Sequence, residues 1–349
     1  MIVDYIVVGF GLSGLSFVEH LEKNEKSFVV YEDSSQVSSR VAGGLYNPVI
    51  LKRFTLAWEA SEQLKNALRF YKDIETRICK TMVRDLPVLR RFNSVEEQNN
   101  WFESCDKPGL SKFLSPELVR SKNPAIDAPF HYGKVKHTGR IDINNMLSIY
   151  LGYLNEKNKI LKESFEYDKI EIKKDLVYYK NIVSKHIVFA EGFGIKKNPF
   201  FKYLPLCGNK GEYIIIKSEN LQLKEALKSS IFVIPLGGDI YKVGATYNNE
   251  DKTAETTLQA KEELQKKLDQ FLKVPYTVIN QVAGIRPTVI DRKPLVGTHA
   301  DYQNIHVLNG LGTRGVSIGP TVAKKLYDHI ENGVLLDKDI DIKRFNVLG

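Results

Sequence analysis

Gly9-Phe10-Gly11-Leu12-Ser13-Gly14 sets three glycines at a spacing suited to gripping a pyrophosphate. In such a turn the first glycine permits the tight bend, the second lets main chain approach the phosphates, and the third lets the next helix pack on the strand. Leu12 and Ser13 would then open that helix, where main-chain N–H groups are free to meet phosphate oxygens. Glu32 stands 18 residues after Gly14, where a carboxylate accepts hydrogen bonds from an adenosine ribose. An acid there disfavours a 2′-phosphate, so these residues point to NAD or FAD rather than NADP.

The elements around the motif fit it. VDYIVV, residues 3–8, is a short β-prone run, LSFVEHLEK repeats its apolar residues at helical spacing, and SFVVYE is a second β-prone run ending in Glu32. Next comes DSSQVSSRVAGGLYNPV, where a simple NAD dehydrogenase would carry another helix. Its glycines suggest backbone lying close to a ligand, which makes Ser39, Arg40, Ala42, Gly43 and Gly44 candidates for holding the cofactor. HTGRIDINNMLSIYLGYL, residues 137–154, reads as a helix capped by Asp142. Residues 207–247 read as successive strands turning at Gly237-Gly238, in a mostly antiparallel sheet. ETTLQAKEELQKKLDQFL, residues 255–272, reads as an amphipathic scaffold helix. Near the end, Gly310-Leu311-Gly312-Thr313-Arg314-Gly315 precedes an apolar helical stretch and presents N–H groups at the positive end of its dipole.

Composition narrows the class. With 349 residues, 43% hydrophobic and 26% charged, the chain reads as soluble, globular and long enough for a sizeable core. No apolar run reaches the roughly 20 residues needed to span a bilayer, and MIVDYIVVGFG reads as a strand rather than a signal peptide. Cys79, Cys105 and Cys207 lack disulfide or metal-ligand spacing, so no metal is expected and a cytoplasmic location is. The formal charge of +8 comes from 50 basic residues interspersed with 42 acidic ones, and reads as solvated surface.

The ordered set of GxGxxG grip, AGG segment, GIRP-x3-D-x2-P-x2-G over 284–297 and glycine-rich turn into a terminal helix resembles the D-amino-acid oxidase, glycine oxidase and sarcosine oxidase family. That resemblance implies an α/β fold with an α+β second domain: a Rossmann-like FAD-binding domain from 1–80, 138–205 and 278–349, interleaved with a mostly antiparallel β-sheet substrate domain from 81–137 and 206–277. HIVFAEGFG resembles the family's strand that ends against the cofactor, placing Ala190 and Gly192 at FAD. Glu191 stands there in place of a small residue, and either contacts FAD or faces solvent. Gly312, Thr313, Arg314 and Gly315 are implied at the flavin edge, where the helix end would stabilise its anionic reduced form. Thr288 follows GIRP where some relatives link flavin to cysteine, so FAD is expected to be noncovalent.

Arg286, in GIRP, matches the family's clamp on a substrate carboxylate, a role its planar fork suits; the alternative is a salt bridge with Asp291. Arg314 is either a second cation on substrate or a brace on backbone carbonyls. Tyr213, Tyr241 and Tyr247 sit on the roof strands, where they offer a hydroxyl to substrate or simply pack, as most of 17 tyrosines must. Lys52 and Arg53 follow the AGG segment, where sarcosine oxidase-like proteins carry basic residues near the flavin.

The activity implied is FAD-dependent oxidation of an amino acid or secondary amine bearing a carboxylate: hydride transfer to flavin, hydrolysis of the imine, and electrons passed to O2 or another acceptor. One alternative keeps the chemistry and changes the partner. The GTRG turn and GLYNPVI resemble the tRNA-modifying oxidase that removes a carboxymethyl group from a wobble-uridine side chain, for which the positive charge would meet phosphates. The other is a non-catalytic FAD-binding module.

Overall fold

The computed structural model describes residues 1–345. Two eight-stranded sheets face each other across a cavity. Ile2–Val8 is central to the first sheet, paired in parallel with Phe28–Tyr31 on one side and Ile182–Phe189 on the other. Ile160–Leu161 extends the sheet beyond Phe28–Tyr31, and Ile305–Asn309 joins Ile182–Phe189 in parallel. A parallel sheet is covered on both faces, which explains the unbroken run Tyr5–Val8. Tyr5 and Val7 pack into a core under the helices, while Ile6 and Val8 pack into a second core with Phe189 and Phe201.

The helices of the first face hold the site from below. Leu12–Lys23 and Gly315–Asn332 pack against each other, and Ala60–Ile78 packs on the latter. Asp142 caps Ile143–Glu156 through the N–H of Asn145. Pro320 lies inside Gly315–Asn332 and has no N–H to give the carbonyl of Val316 one turn earlier. The hydroxyl of Tyr71, buried in the neighbouring helix, donates to that carbonyl at 3.0 Å.

The second sheet runs in the order Thr277–Arg286, Asn209–Lys217, Ile240–Gly244, Phe232–Gly237, Ala226–Lys228, Val88–Arg91, Tyr132–Val135, Leu114–Val119. One neighbouring pair, Ala226–Lys228 with Val88–Arg91, is parallel, and the rest are antiparallel. The segment 81–137 therefore supplies three strands of this roof. Thr277–Arg286 pairs with Asn209–Lys217 along its length, so the roof sheet runs on to Arg286, past the domain boundary expected at 278. Leu258–Asp269, capped by the Thr257 hydroxyl, covers the outer face through Leu264 and Leu268.

Candidate active site

The cavity, about 800 Å³, is lined by the carboxyl ends of the parallel strands and by the inner face of the roof. Its dinucleotide end is built by glycines that no other residue fits. A Cβ on Gly14 would stand 2.0 Å from the Gly9 carbonyl oxygen, and Gly9 itself has φ +93°. Both oxygens of Glu32 accept main-chain N–H groups, from Phe10 at 2.5 Å and from Ser34 at 2.8 Å. Burial raises its pKa, and these two bonds pull the other way. The carboxylate therefore fixes the glycine turn while lining the cavity. Ser39 accepts from Leu12 N–H at 3.0 Å, which lays the small-residue segment over the helix start. Arg40 departs from the expectation. It is not in the cavity wall but turns to Asn144 and Ser148 on the helix Ile143–Glu156, because Ser38–Val41 forms a helical turn that points it away.

Ala42, Gly43 and Gly44 line the middle of the cavity, beneath Ile234 and Tyr213 of the roof. Gly312, Thr313 and Gly315 line it at the start of Gly315–Asn332, an 18-residue helix with no side-chain cap. Its first N–H groups and the positive end of its dipole are thus available to an electron-rich group in the cavity. Arg314 also lines the wall, but it donates to the carbonyls of Asn47 at 2.9 Å and Val49 at 3.4 Å. Of the two roles open to it, the geometry is that of a brace between the helix start and residues 47–49. Burial lowers its pKa from the ordinary arginine value.

Arg286 projects from the roof strand. Nη1 donates to Asn209 Oδ1 at 2.6 Å and to the Thr246 carbonyl at 3.3 Å, and the guanidinium lies 5.8 Å from the Tyr247 ring centre. Among the described residues no carboxylate pairs with it. Asp291, the alternative partner, is bound by Arg344 Nε at 2.8 Å. Tyr213 is half-buried in the cavity wall, and Tyr247 is largely exposed at its edge. Tyr241 does not line the cavity: it belongs to the core on the far side of the roof, and its hydroxyl accepts from Leu223 N–H. Side chains alternate along a strand, and Tyr241 has the opposite parity to Lys242 and Gly244. Lys52 lines the cavity and Arg53 does not.

Glu191 is buried rather than solvent-facing. It accepts from the Tyr167 hydroxyl and from Asn198 Nδ2, the latter at 2.8 Å. Burial pushes its pKa up to about 7. Asn309 ties the adjacent turn to the helix start, donating to the Gly192 carbonyl and accepting from Gly310 N–H. Sequence reasoning missed Asn209, Gly211 and Thr246 around Arg286, Tyr167 and Asn198 around Glu191, and Lys228 in the cavity wall. Nothing in the chain order marks them, because each acts across strands or from a distant segment. Cys79, Cys105 and Cys207 all lie outside the cavity wall.

A glycine-cradled cleft running under a roof whose guanidinium has no acidic partner among the described residues suits a nucleotide-dependent oxidoreductase. Residues 4–329 match the family described as DAO, FAD dependent oxidoreductase, and the chain belongs to that family. It is an FAD-dependent oxidoreductase, and FAD is its cofactor. Glycine oxidase of Bacillus subtilis is 26% identical over 362 aligned positions, covering 94% of this chain and 93% of that protein. The crystal structure of glycine oxidase from Bacillus cereus superposes with a TM-score of 0.76 at 17% identity, over 95% of this chain and 96% of that one. A local match of 28% identity over 127 residues links the chain to the tRNA 5-methylaminomethyl-2-thiouridine biosynthesis bifunctional protein MnmC of Idiomarina loihiensis. It covers 35% of this chain and only 21% of that protein. No helix among the described residues is long and apolar enough to cross a membrane.

Proposed function

We infer that the chain oxidises a small amine bearing a carboxylate beside its reacting carbon, an N-substituted glycine or amino acid. The observation that carries this is Arg286: a guanidinium in the cavity roof with one nitrogen held by Asn209 and Thr246 and no acidic partner among the described residues. Guanidinium and carboxylate match in geometry, and an anion in the cavity supplies the missing counter-charge. Held there, the substrate needs no strong base. The nitrogen lone pair forms the C=N bond as hydride leaves the neighbouring carbon, and water hydrolyses the resulting imine. FAD, when bound, supplies the two-electron acceptor.

The rest of the site orients and excludes water. Asn209 and the Thr246 carbonyl aim the guanidinium. Arg314 holds residues 47–49 against the helix start, so the uncapped N–H groups stay fixed. The test is anaerobic: glycine, sarcosine, D-amino acids, L-proline and undermodified tRNA are added to the flavoprotein while absorbance at about 450 nm is followed. Bleaching by a small carboxylated amine is expected. A flavoprotein bleached by none of the small amines refutes the reading. Bleaching by tRNA alone would favour a second reading, oxidation of a carboxymethylaminomethyl group on a wobble uridine, supported by the local match to the tRNA-modifying protein.

A further inference from the structure

Lys228 is a cavity-lining residue that the chemistry above does not use. It ends the strand Ala226–Lys228, directly across from Phe232, which lines the same cavity. Its ammonium lies 5.0 Å from the Phe232 ring centre and donates to the Ser230 carbonyl at 2.8 Å. Among the described residues no carboxylate lies within salt-bridge reach of it. The acid in its surroundings, Glu97, is bound to Arg90, through Nε at 2.7 Å. Arg90 stands beside Lys228 in register on the neighbouring strand. Burial first, and then Arg90, lower the Lys228 pKa to about 8, so most of it is still charged at neutral pH. Lys267 of the covering helix and, more weakly, Lys52, exposed in the cavity wall, add to the positive field at Lys228. A half-buried cation with no counter-ion is costly unless something anionic reaches it.

The position of Lys228 says what that anion belongs to. Across the roof, the strand bearing Arg286 and the strand bearing Lys228 are the first and fifth in order. Strand spacing of about 4.8 Å puts their axes roughly 19 Å apart. The Arg286 guanidinium leans inward over the second strand, toward Asn209 and Thr246. Gly43 lies under the roof between them, beneath Ile234 and Tyr213. The roof thus sets a cation on either side of the glycine segment that lines the middle of the cavity.

We propose that Lys228, with Lys52 in the same cavity wall, forms a second anion subsite, which takes a carboxylate or phosphate at the end of the substrate remote from the carboxylate on Arg286. This rests on the carboxylate reading of Arg286 and narrows it: the preferred substrate is an amine with two anionic ends, and simple amino acids are weaker substrates for want of the second anion. The second anion has two sources, a small dicarboxylic amine or the phosphate of a nucleotide carrying the amine.

The subsite is tested without turnover. The FAD-loaded protein is titrated with dicarboxylates from succinate to sebacate and with the monocarboxylates of equal length, and dissociation constants are read from the perturbed flavin spectrum. At the best length the dicarboxylate is expected to bind about 10-fold tighter, a difference of about 1.4 kcal/mol. Lys228→Met should bring that ratio to about one, Lys228→Arg should keep it, and monocarboxylate binding should hold in both. A ratio of one at every length, or one that Lys228→Met leaves intact, overturns the proposal. Monocarboxylate binding that Arg286→Met leaves at full strength overturns the underlying reading of Arg286 instead. A short oligouridylate is then used as competitor. Competition lost in Lys228→Met identifies phosphate as the source, and tight dicarboxylate binding without such competition identifies a second carboxylate.

Discussion

Gly211 makes room for Arg286. A Cβ built on Gly211 would stand 1.9 Å from Arg286 Nη2 and 2.2 Å from Cζ, so the guanidinium occupies the space a side chain would take. Gly211 pairs with Gly284 and Asn209 with Arg286, which lets the arginine fold back across its partner strand to reach Asn209 and Thr246. A roof position that would ordinarily carry a packing side chain instead seats the Arg286 guanidinium.

Gly211→Ala should therefore displace Arg286 without harming the fold, since the residue lies in ordinary strand backbone rather than the left-handed region. A misplacement of about 1 Å at such a site costs on the order of 100-fold. The expected result is a fall in kcat/KM of about that size, carried by KM, with flavin content unchanged. Loss of flavin, or unchanged kinetics, would contradict this geometry.

At the other end of the cavity, Gly14→Ala should abolish flavin retention. Its Cβ would meet the Gly9 carbonyl oxygen at 2.0 Å, and rigid backbone cannot yield as a side-chain tip can. The strand and helix must separate, and the turn between them opens. The purified variant is expected to lack yellow colour, and added FAD to bind at least about 10-fold more weakly by calorimetry.

The dinucleotide end was legible because its function lies in local backbone: a strand, three spaced glycines, a helix and Glu32 all fall within one βαβ run. The glycines of the following segment pointed to Ala42 to Gly44, and the resemblance to Gly192 and Gly312 to Gly315, all of which line the cavity. Substrate-facing detail was not legible in the same way. Tyr241 and Tyr213 are equivalent in sequence, and the face of each depends on strand register, where one residue decides between cavity and core. Arg40 was lost to a single helical turn. Arg314 read as cation or brace with equal right, since only folding brings residues 47–49 to it. Residues 81–137 gave no signal of their own because their strands complete a sheet begun elsewhere.

Glu191 makes stability depend on pH in a direction unusual for a carboxylate. Burial raises its pKa from 4.5 to about 7, so the folded state keeps a proton that the unfolded chain gives up. The benefit is complete below the unfolded value and is lost as pH rises from 4.5 to about 7. Fully developed, the difference is about 3 kcal/mol. Glu191→Gln, which can still bond to Tyr167 and Asn198, should remove this slope. Urea unfolding at fixed excess FAD should show the variant gaining on the parent between about pH 5 and about pH 8. Parallel pH profiles for the two proteins would show that Glu191 titrates as it does in the unfolded chain.

Tyr71 is the last link between packing and chemistry. Pro320 leaves the Val316 carbonyl without its helical N–H, and the Tyr71 hydroxyl replaces it from the helix Ala60–Ile78. Tyr71 is fully buried, so removing the hydroxyl leaves the carbonyl with no water to turn to. Tyr71→Phe should cost about 1–2 kcal/mol, read as a lower urea midpoint with an unchanged slope. Val316 itself lines the cavity in the first turn of that helix, so slackening there reaches the uncapped N–H groups that open the helix. The same variant should therefore release FAD faster. A normal midpoint would mean that the carbonyl finds another partner, and a low midpoint with normal FAD release would confine the hydroxyl to stability alone.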